Sequence, residues 1–177
     1  MMRRVMRLGI AAAMMVGFAA GVEAQDDTFE WQGAIERGQV LEVRGISGDI
    51  VATLASGSTA EVVAIKNGRS RDFDEVEILV FEDRNGILIC AVYGERRRRD
   101  SCDNKNDGHS GRSNSIDVSV DFEVRVPAGV EFVARTVSGD VEIEGLEPDV
   151  DGATVSGSVY ISTTGVARAN TVSGDLD

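Results

Sequence analysis

The chain has 177 residues, and its 30 acidic residues against 18 lysines and arginines give a net charge of −12. This charge repels phosphate backbones and anionic membrane surfaces, which argues against nucleic-acid binding and a peripheral membrane role. The length suits one ordinary domain, and because only 5% of residues are aromatic, the core must consist mostly of Val, Ile, Leu and Ala.

The first residues have the pattern of an export signal. A basic start precedes an uncharged apolar run over 8–20, and small residues end at Ala24. We therefore predict a signal peptide over 1–24, with an uncleaved anchoring segment as the alternative. Cleavage leaves 15 basic and 29 acidic residues, a net charge of −14, and no membrane span. The expected location is extracytoplasmic: periplasmic, on the outer surface or secreted.

The mature chain, 25–177, is predicted to be one β-repeat domain whose first part, 25–93, consists of strands and hairpins. Alternating apolar residues indicate successive strands over 28–66. The segments 73–80 and 87–93 read as a hairpin, because the Asn-Gly pair before residue 87 readily adopts the positive φ of a tight turn.

Residues 94–115 lose this pattern and are rich in Arg, Asp, Asn, Ser and Gly, which predicts a flexible solvated loop. Two cysteines, Cys90 and Cys102, flank its start. In an exported chain they favour a disulfide, with two free thiols as the alternative. Their spacing and the distant His109 fit no zinc site.

The last part, 116–177, starts with a strand over 116–126, where six apolar residues alternate with five polar ones. Then the phrase Thr-Val-Ser-Gly appears three times, at intervals of 18 and 17 residues, followed by Asp in two copies and by Ser158 in the middle one. An earlier copy, Gly-Ile-Ser-Gly-Asp, begins at Gly45. A unit that returns at nearly constant period predicts stacked β-coils. The predicted structural turns are the glycines of the four copies, namely Gly48, Gly139, Gly157 and Gly174.

Alignment of the last three copies places apolar residues in three columns. We expect each column to face inward, with every residue resting on its counterpart in the next coil about 4.8 Å away. The columns are Val137, Val155 and Val172; Val141, Val159 and Leu176; and Ile143 and Ile161.

The chain resembles one bacterial family in four features. These are the predicted signal peptide, the early Gly-Ile-Ser-Gly-Asp-Ile phrase, the strand running into Pro127, and the T-V-S-G-D-V-x-I-x-G-L unit over 136–146. This is the putative-adhesin or β-strand-repeat family of exported proteins, a domain of unknown function. The resemblance implies an all-β fold: a parallel β-solenoid, or β-roll, with antiparallel strands packed at its beginning. It implies no established enzymatic activity and supplies no catalytic residue. Related proteins usually continue beyond the fourth corner, so we expect a truncated or uncapped array at Asp177, with end-to-end self-association through the open coil.

Candidate catalytic groups are sparse. His109 is the only histidine and lies in the predicted loop, so a Ser-His site is disfavoured. The repeated serines are better explained as turn residues. Acidic pairs of the kind used in glycoside hydrolysis occur throughout an acidic chain and decide nothing. We therefore predict that the protein is not an enzyme and has no catalytic site. The repeated serines, which we interpret as turn residues, are Ser138, Ser156 and Ser173.

Two features could hold a cation. Asp49, Asp140 and Asp175 occupy equivalent positions, although Ser158 interrupts the column; the simpler interpretation is that these side chains bind nearby turn amides. The segment 103–108 weakly resembles a calcium loop, but Lys105 stands where an oxygen ligand is needed and Asn114 replaces the terminal Glu. The basic run 96–99 is interpreted as solvated loop.

These patterns favour a non-enzymatic exported module that serves as a cell-envelope scaffold or adhesin-like interaction surface. The expected partner is a protein or polysaccharide of the envelope, and no cofactor or metal is predicted. The alternative is a cation-dependent module that binds calcium or a polysaccharide through the Asp column.

Overall fold

The computed structural model describes residues 27–94, Cys102 and residues 116–177. Within these residues the chain is all-β, as predicted, and its strands form two six-stranded mixed sheets. The predicted signal peptide and most of the predicted loop lie outside the described residues.

The strands are bounded as follows in the order in which they lie side by side. The first sheet contains β1 (Thr28–Ala34), β4 (Thr59–Gly68), β7 (Val118–Val126), β3 (Ile50–Leu54), β9 (Val141–Leu146) and β11 (Val159–Thr163). The second sheet contains β12 (Ala167–Asn170), β10 (Val150–Ala153), β8 (Glu131–Arg135), β2 (Val40–Arg44), β6 (Gly86–Tyr93) and β5 (Val76–Asp83).

Parallel pairing dominates both sheets. In the first sheet β7, β3, β9 and β11 are parallel to one another, and in the second sheet β6, β2, β8, β10 and β12 are. Antiparallel pairs occur at one end only, where β1 joins β4, β4 joins β7, and β5 joins β6. The expectation of antiparallel strands in the first part of the chain is therefore met only by β1, β4, β5 and β6.

For the early strands β2 and β3 that expectation is wrong, because each lies in the middle of its sheet and runs parallel to both of its neighbours. β2 lies between β6 and β8, and β3 lies between β7 and β9. The chain crosses from the second sheet to the first after β2, β8, β10 and β12, each time through a copy of the repeated phrase. The first copy thus joins the same stack as the other three, although it precedes them by some ninety residues.

One hydrophobic core lies between the two sheets. Alternate residues of nearly every strand point into it, and its largest fully buried side chains include Phe122, Phe132, Leu41 and Ile50. Full burial of such a side chain contributes about 1.5–3 kcal/mol, so the alternating pattern of β7 suffices to fix which face of that strand turns inward.

The predicted hairpin is present as β5 and β6, and its turn is held by the Asn85 N–H, which donates to Asp83 Oδ1 at 2.8 Å. Its first strand starts later than predicted, because Ser70–Glu75 forms a short 3-10 helix. Phe73 of this helix packs on the core, and its carbonyl accepts a hydrogen bond from Lys66 Nζ at 3.0 Å. That tertiary contact outweighs the local strand pattern over 73–75.

Candidate functional site

The four crossings stack directly on one another, and we call them the corners: residues 45–49, 136–140, 154–158 and 171–175. Their serines form a continuous ladder of parallel bridges, from Ser47 to Ser138, Ser156 and Ser173. At each junction the glycine N–H donates to the serine carbonyl of the next corner at 2.9–3.0 Å. The repeated phrase is therefore a backbone-paired column along one edge of the molecule.

The corner glycines are required by both conformation and space. Gly139 and Gly157 have φ values of +144° and +148°, which L side chains rarely adopt. A Cβ on Gly157 would lie 2.1 Å from the carbonyl oxygen of Gly139, and a Cβ on Gly139 would lie 2.1 Å from that of Gly48. In the three later corners, the carbonyl of the preceding corner therefore occupies the position that a Cβ on the glycine would take.

The inward side chain of each later corner is its threonine. Thr136 and Thr154 are only 5% and 3% exposed. Their hydroxyls donate to the carbonyl oxygens of Gly48 and Gly139 at 3.2 and 2.9 Å, and that of Thr171 donates to Gly157 at 2.8 Å. These hydroxyls hold the carbonyls that fill the glycine spaces.

This placement overturns the predicted inward column of Val137, Val155 and Val172. Val155 is 47% exposed and Val172 is 77% exposed. Strand alternation puts Thr136 inward after Phe132 and Ala134, and the corner then changes the alternation before Val141. The second and third columns do turn inward in the middle coils, since Val141, Ile143 and Val159 are at most 1% exposed, whereas Leu176 is 54% exposed.

The aspartates of the corners form a hydrogen-bonded ladder. The carboxylates of Asp49 and Asp140 each accept the backbone N–H of the equivalent residue in the next corner, which agrees with the structural interpretation of these residues. The sequence pattern did not identify the first member, Asp121 of β7, although the register that pairs Phe122 with Ile50 places it beside Asp49. The contacts are Asp49 N to Asp121 Oδ1 at 3.0 Å, Asp140 N to Asp49 Oδ1 at 2.8 Å, Ser158 N to Asp140 Oδ1 at 2.7 Å, and Asp175 N to Ser158 Oγ at 3.5 Å.

The ladder leaves little for a metal ion. One oxygen each of Asp49 and Asp140 is already bound to a backbone amide, and the second oxygen of Asp121 accepts a hydrogen bond from Asn67 Nδ2 at 2.7 Å. Across residues 27–94, Cys102 and 116–177, no group of three or more His, Cys, Asp or Glu residues is arranged to hold a metal. His109, the run 96–99 and the segment 103–108 lie outside the described residues.

Tyr93 lies at the start of this column. Its hydroxyl is buried near the backbone of Ser47 without forming a regular hydrogen bond to any described residue. Burial raises the pKa of Tyr93 to about 12; the backbone of Ser47 opposes this rise, and the negative charge of Asp121 adds to it. The phenol is therefore neutral at physiological pH and unsuited to act as a base.

The outer face of the second sheet carries a second, smaller hydrophobic cluster. It contains Leu88, Cys90 and Val92 of β6, and Cys90 is joined by a disulfide to Cys102. The Cys102 carbonyl accepts a hydrogen bond from Arg44 Nη1 at 2.9 Å, and Arg44 also pairs with Glu42 at 2.7 Å. The disulfide and this hydrogen bond therefore hold Cys102 against the outer face of the sheet.

The outer face of the first sheet is acidic. Its strands bring outward side chains into two rows across the sheet, with five glutamates and one arginine in all. Arg125 pairs with Glu61 at 3.8 Å, and Gln32 Nε2 donates to the same carboxylate at 2.8 Å. One row is Glu30, Val63, Glu123, Val51, Glu142 and Tyr160, and the other is Gln32, Glu61, Arg125, Thr53, Glu144 and Ser162.

Comparisons with known proteins add little. No family model matches the chain, and no curated protein matches it. Among solved structures it is similar to a putative cell adhesion protein from Clostridium sporogenes, with 7% identity, a TM-score of 0.41, and coverage of 83% of this chain and 96% of that one. A likeness this low transfers neither function nor family, so the resemblance to the putative-adhesin family stays a prediction. No helix in the described part of the chain is long and apolar enough to cross a membrane.

Proposed function

We propose that the chain is a non-enzymatic, exported interaction module of the cell envelope, with the acidic outer face of the first sheet as its contact surface. We also infer that each of β2, β8, β10 and β12, together with the corner after it and the part of the first sheet that follows, is one coil of a short β-solenoid. Regular parallel pairing through β2, β8, β10 and β12, with a matching corner after each, supports this interpretation.

The two rows of outward side chains on the first sheet support this function most directly. Six paired strands span about 24 Å at the usual strand spacing, which makes the face a broad and rigid platform. Its glutamates outnumber its single arginine, so the face favours a positively charged partner. The glycine amides and glycine carbonyls of the first three corners are already used in stacking, which leaves the outer faces for contacts.

The disulfide supports an extracytoplasmic location. Cys90 and Cys102 are both nearly buried and paired, and disulfides of this kind persist in oxidising compartments. The leader-like first segment points the same way.

The test is binding of the purified protein to immobilised envelope protein and polysaccharide fractions at low and high salt. We expect binding that weakens as salt rises, because exposed charges are screened within about 10 Å at 0.1 M ionic strength. Glu142→Gln with Glu144→Gln should weaken it about three- to tenfold, since exposed charge contacts are each worth up to ~1 kcal/mol. The control is Glu82→Gln with Glu131→Gln, which removes the same charge from exposed positions of the second sheet.

Equal loss of binding in both double variants would show that net charge alone is responsible and would contradict an assigned contact face. The non-enzymatic part of the proposal has its own test. Turnover of a glycan or ester that one carboxylate or serine substitution abolishes would overturn it.

A further inference from the structure

The first row of outward side chains on the acidic face alternates carboxylates with apolar groups. Across β1, β4, β7, β3 and β9, its members are Glu30, Val63, Glu123, Val51 and Glu142. The three glutamates are exposed, whereas the two valines between them are partly buried. Every second strand therefore offers a negative charge, and each strand between offers a small aliphatic side chain.

The glutamates of this row are not paired within the described part of the chain. None of the three forms a side-chain hydrogen bond or an ion pair with a residue that the structure describes. In the second row, by contrast, Glu61 accepts a hydrogen bond from Gln32 and pairs with Arg125. The unpaired charge of the face is therefore concentrated along the first row, with Glu144 as its one counterpart in the second.

The spacing of this row restricts the backbone conformation of a partner. At a strand separation of about 4.8 Å, neighbouring glutamates of the row lie about 9.6 Å apart with a valine halfway between them. An extended strand places the side chains of one face about 6.7 Å apart, so its charge–apolar–charge repeat of about 13 Å is too long. A polyproline II helix repeats after about 9.3 Å, but its three residues per turn leave no side chain halfway on the same face.

An α-helix fits both the charges and the valines. Its positions i and i+7 lie on one face about 10.5 Å apart, and positions i+3 and i+4 lie between them on that face. This repeat exceeds that of the row by only about 1 Å, which the flexible stem of a lysine or arginine can absorb.

We propose that the acidic face binds an amphipathic α-helix of another protein, which lies across the strands along the first row. The helix would carry a Lys or Arg at every seventh position and an aliphatic residue midway between them. Its cations would meet the three glutamates, and its aliphatic side chains would pack on Val63 and Val51. This inference rests on the acidic contact face proposed above and names the class of its partner. A second copy of the chain is a poor candidate, because the described part of the chain contains no α-helix.

The probes are two synthetic helical peptides of about 20 residues and identical composition, with three lysines and two leucines in a neutral alanine–glutamine background. In the first peptide the lysines are seven residues apart with a leucine midway. In the second the outer lysines are each moved by two residues, which turns them about 200° around the helix. Circular dichroism checks that both peptides are equally helical. Titrated into the ¹⁵N-labelled protein, the first should give saturable chemical-shift changes along the row and bind about fivefold more tightly than the second.

Substitutions in the protein test the charge and the apolar contact separately. Glu123→Gln should weaken binding of the first peptide about threefold, because it removes the central carboxylate of the row. Val51→Thr keeps the charge and the β-branched shape, and it should weaken binding of the same peptide about twofold through lost apolar contact. The control Glu131→Gln removes the same charge from the second sheet and should leave the affinity unchanged.

Equal binding by the two peptides, no saturation at millimolar peptide, or shifts centred on the second sheet would each overturn the proposal. Equal effects of Glu123→Gln and Glu131→Gln would also overturn it, because net charge alone would then be responsible, and unchanged affinity in Val51→Thr would contradict the apolar contact. If the first peptide fails while Glu142→Gln with Glu144→Gln still weakens binding to a polysaccharide fraction, the contact face stands and the helical partner is wrong. If the two double variants described above lose envelope binding equally, the contact face itself is wrong.

Discussion

Gly157 shows how a corner glycine is constrained by both its conformation and its neighbour. It has a φ of +148°, and a Cβ there would meet the Gly139 carbonyl oxygen at 2.1 Å. We expect Gly157→Val to lower the free energy of unfolding by about 3 kcal/mol, the upper part of the range for an unfavourable backbone state, because a steric clash adds to it. Denaturant unfolding followed by circular dichroism measures this.

Two other glycines separate these causes. Gly38 has a φ of +83° with no atom within 4 Å of its Cβ position, and Gly57 has neither a positive φ nor a close atom. Gly38→Val should therefore cost about 1 kcal/mol through backbone strain alone, and Gly57→Val close to nothing. A Gly157→Val loss no larger than that of Gly38→Val would show that the corner relaxes around the added side chain.

The inward threonine and the outward valine next to it give a paired test of the corner. Thr154→Val removes a nearly buried hydroxyl that donates to Gly139, so we expect a loss of about 1–2 kcal/mol because that carbonyl is left unsatisfied. The reverse change next to it, Val155→Thr, lies on an exposed side chain and should stay within about 0.5 kcal/mol. Thermal unfolding of both variants measures these losses. A larger loss of stability from Val155→Thr than from Thr154→Val would show that Val155, and not Thr154, faces the interior.

Tyr93 predicts a loss of stability in alkaline solution. Its pKa is about 12 in the folded chain and 10 when unfolded, so the fold favours the neutral phenol. This contribution is complete below pH 10 and is lost as the pH rises through 12; after allowance for partial exposure it is about 1–2 kcal/mol. Tyr93→Phe should flatten the stability curve between pH 10 and 12. An equally steep fall in that variant would assign the loss to other groups.

At the scale of single elements, periodicity predicted most strands well. The alternation of β7 and the Asn-Gly turn between β5 and β6 are local signals, and both elements form where expected. The pairing partners were harder to predict because they are set by contacts distant in sequence. The copy of the phrase at Gly45 identified a corner, but nothing local placed β2 and β3 between strands that follow them in the chain.

The corner also limited what could be predicted of the candidate site. Strand alternation predicts burial only while the backbone stays extended, and the positive φ of Gly139 interrupts it between Thr136 and Val141. The alignment of the copies therefore placed Val137 in an inward column because it is apolar, and it overlooked Thr136. Asp121 stands outside any copy of the phrase, so only the register of β7 against β3 reveals it as the first carboxylate of the ladder.

The disulfide acts at the scale of β6 and the sheet face beneath Cys102. Its ends are 12 residues apart, for which the chain-entropy model gives about 3 kcal/mol of stabilisation. We expect Cys90→Ala with Cys102→Ala to lose about that much and to expose the cluster around Leu88 and Val92, seen as increased binding of a hydrophobic dye. Adding a reductant should destabilise the wild-type chain and leave the double variant unchanged; a reductant effect on both would indicate another cause.

The whole molecule has two unlike outer faces on one shared core. The first sheet presents glutamates in registered rows, whereas the second combines a disulfide-pinned apolar cluster with ion pairs between Arg135 and both Glu42 and Asp151. An excess of negative charge on one side attracts a positively charged partner to that side of the module. That asymmetry, rather than any single residue, makes the first sheet the proposed contact face.

Because the whole molecule is negatively charged, calcium binding is the test of the cation-dependent alternative. The carboxylates of Asp49 and Asp140 already accept backbone amides, so we expect 1 mM calcium to shift the melting temperature no more than 1 mM magnesium does, through general screening alone. A specific site with a dissociation constant near 10 μM would instead add about 2.7 kcal/mol at that concentration. Asp140→Asn and, as a matched control outside the ladder, Asp149→Asn should respond alike to both ions. A calcium-specific shift that Asp140→Asn removes and Asp149→Asn retains would establish the cation-dependent alternative. The two variants lose the same charge, but only Asp140 belongs to the ladder.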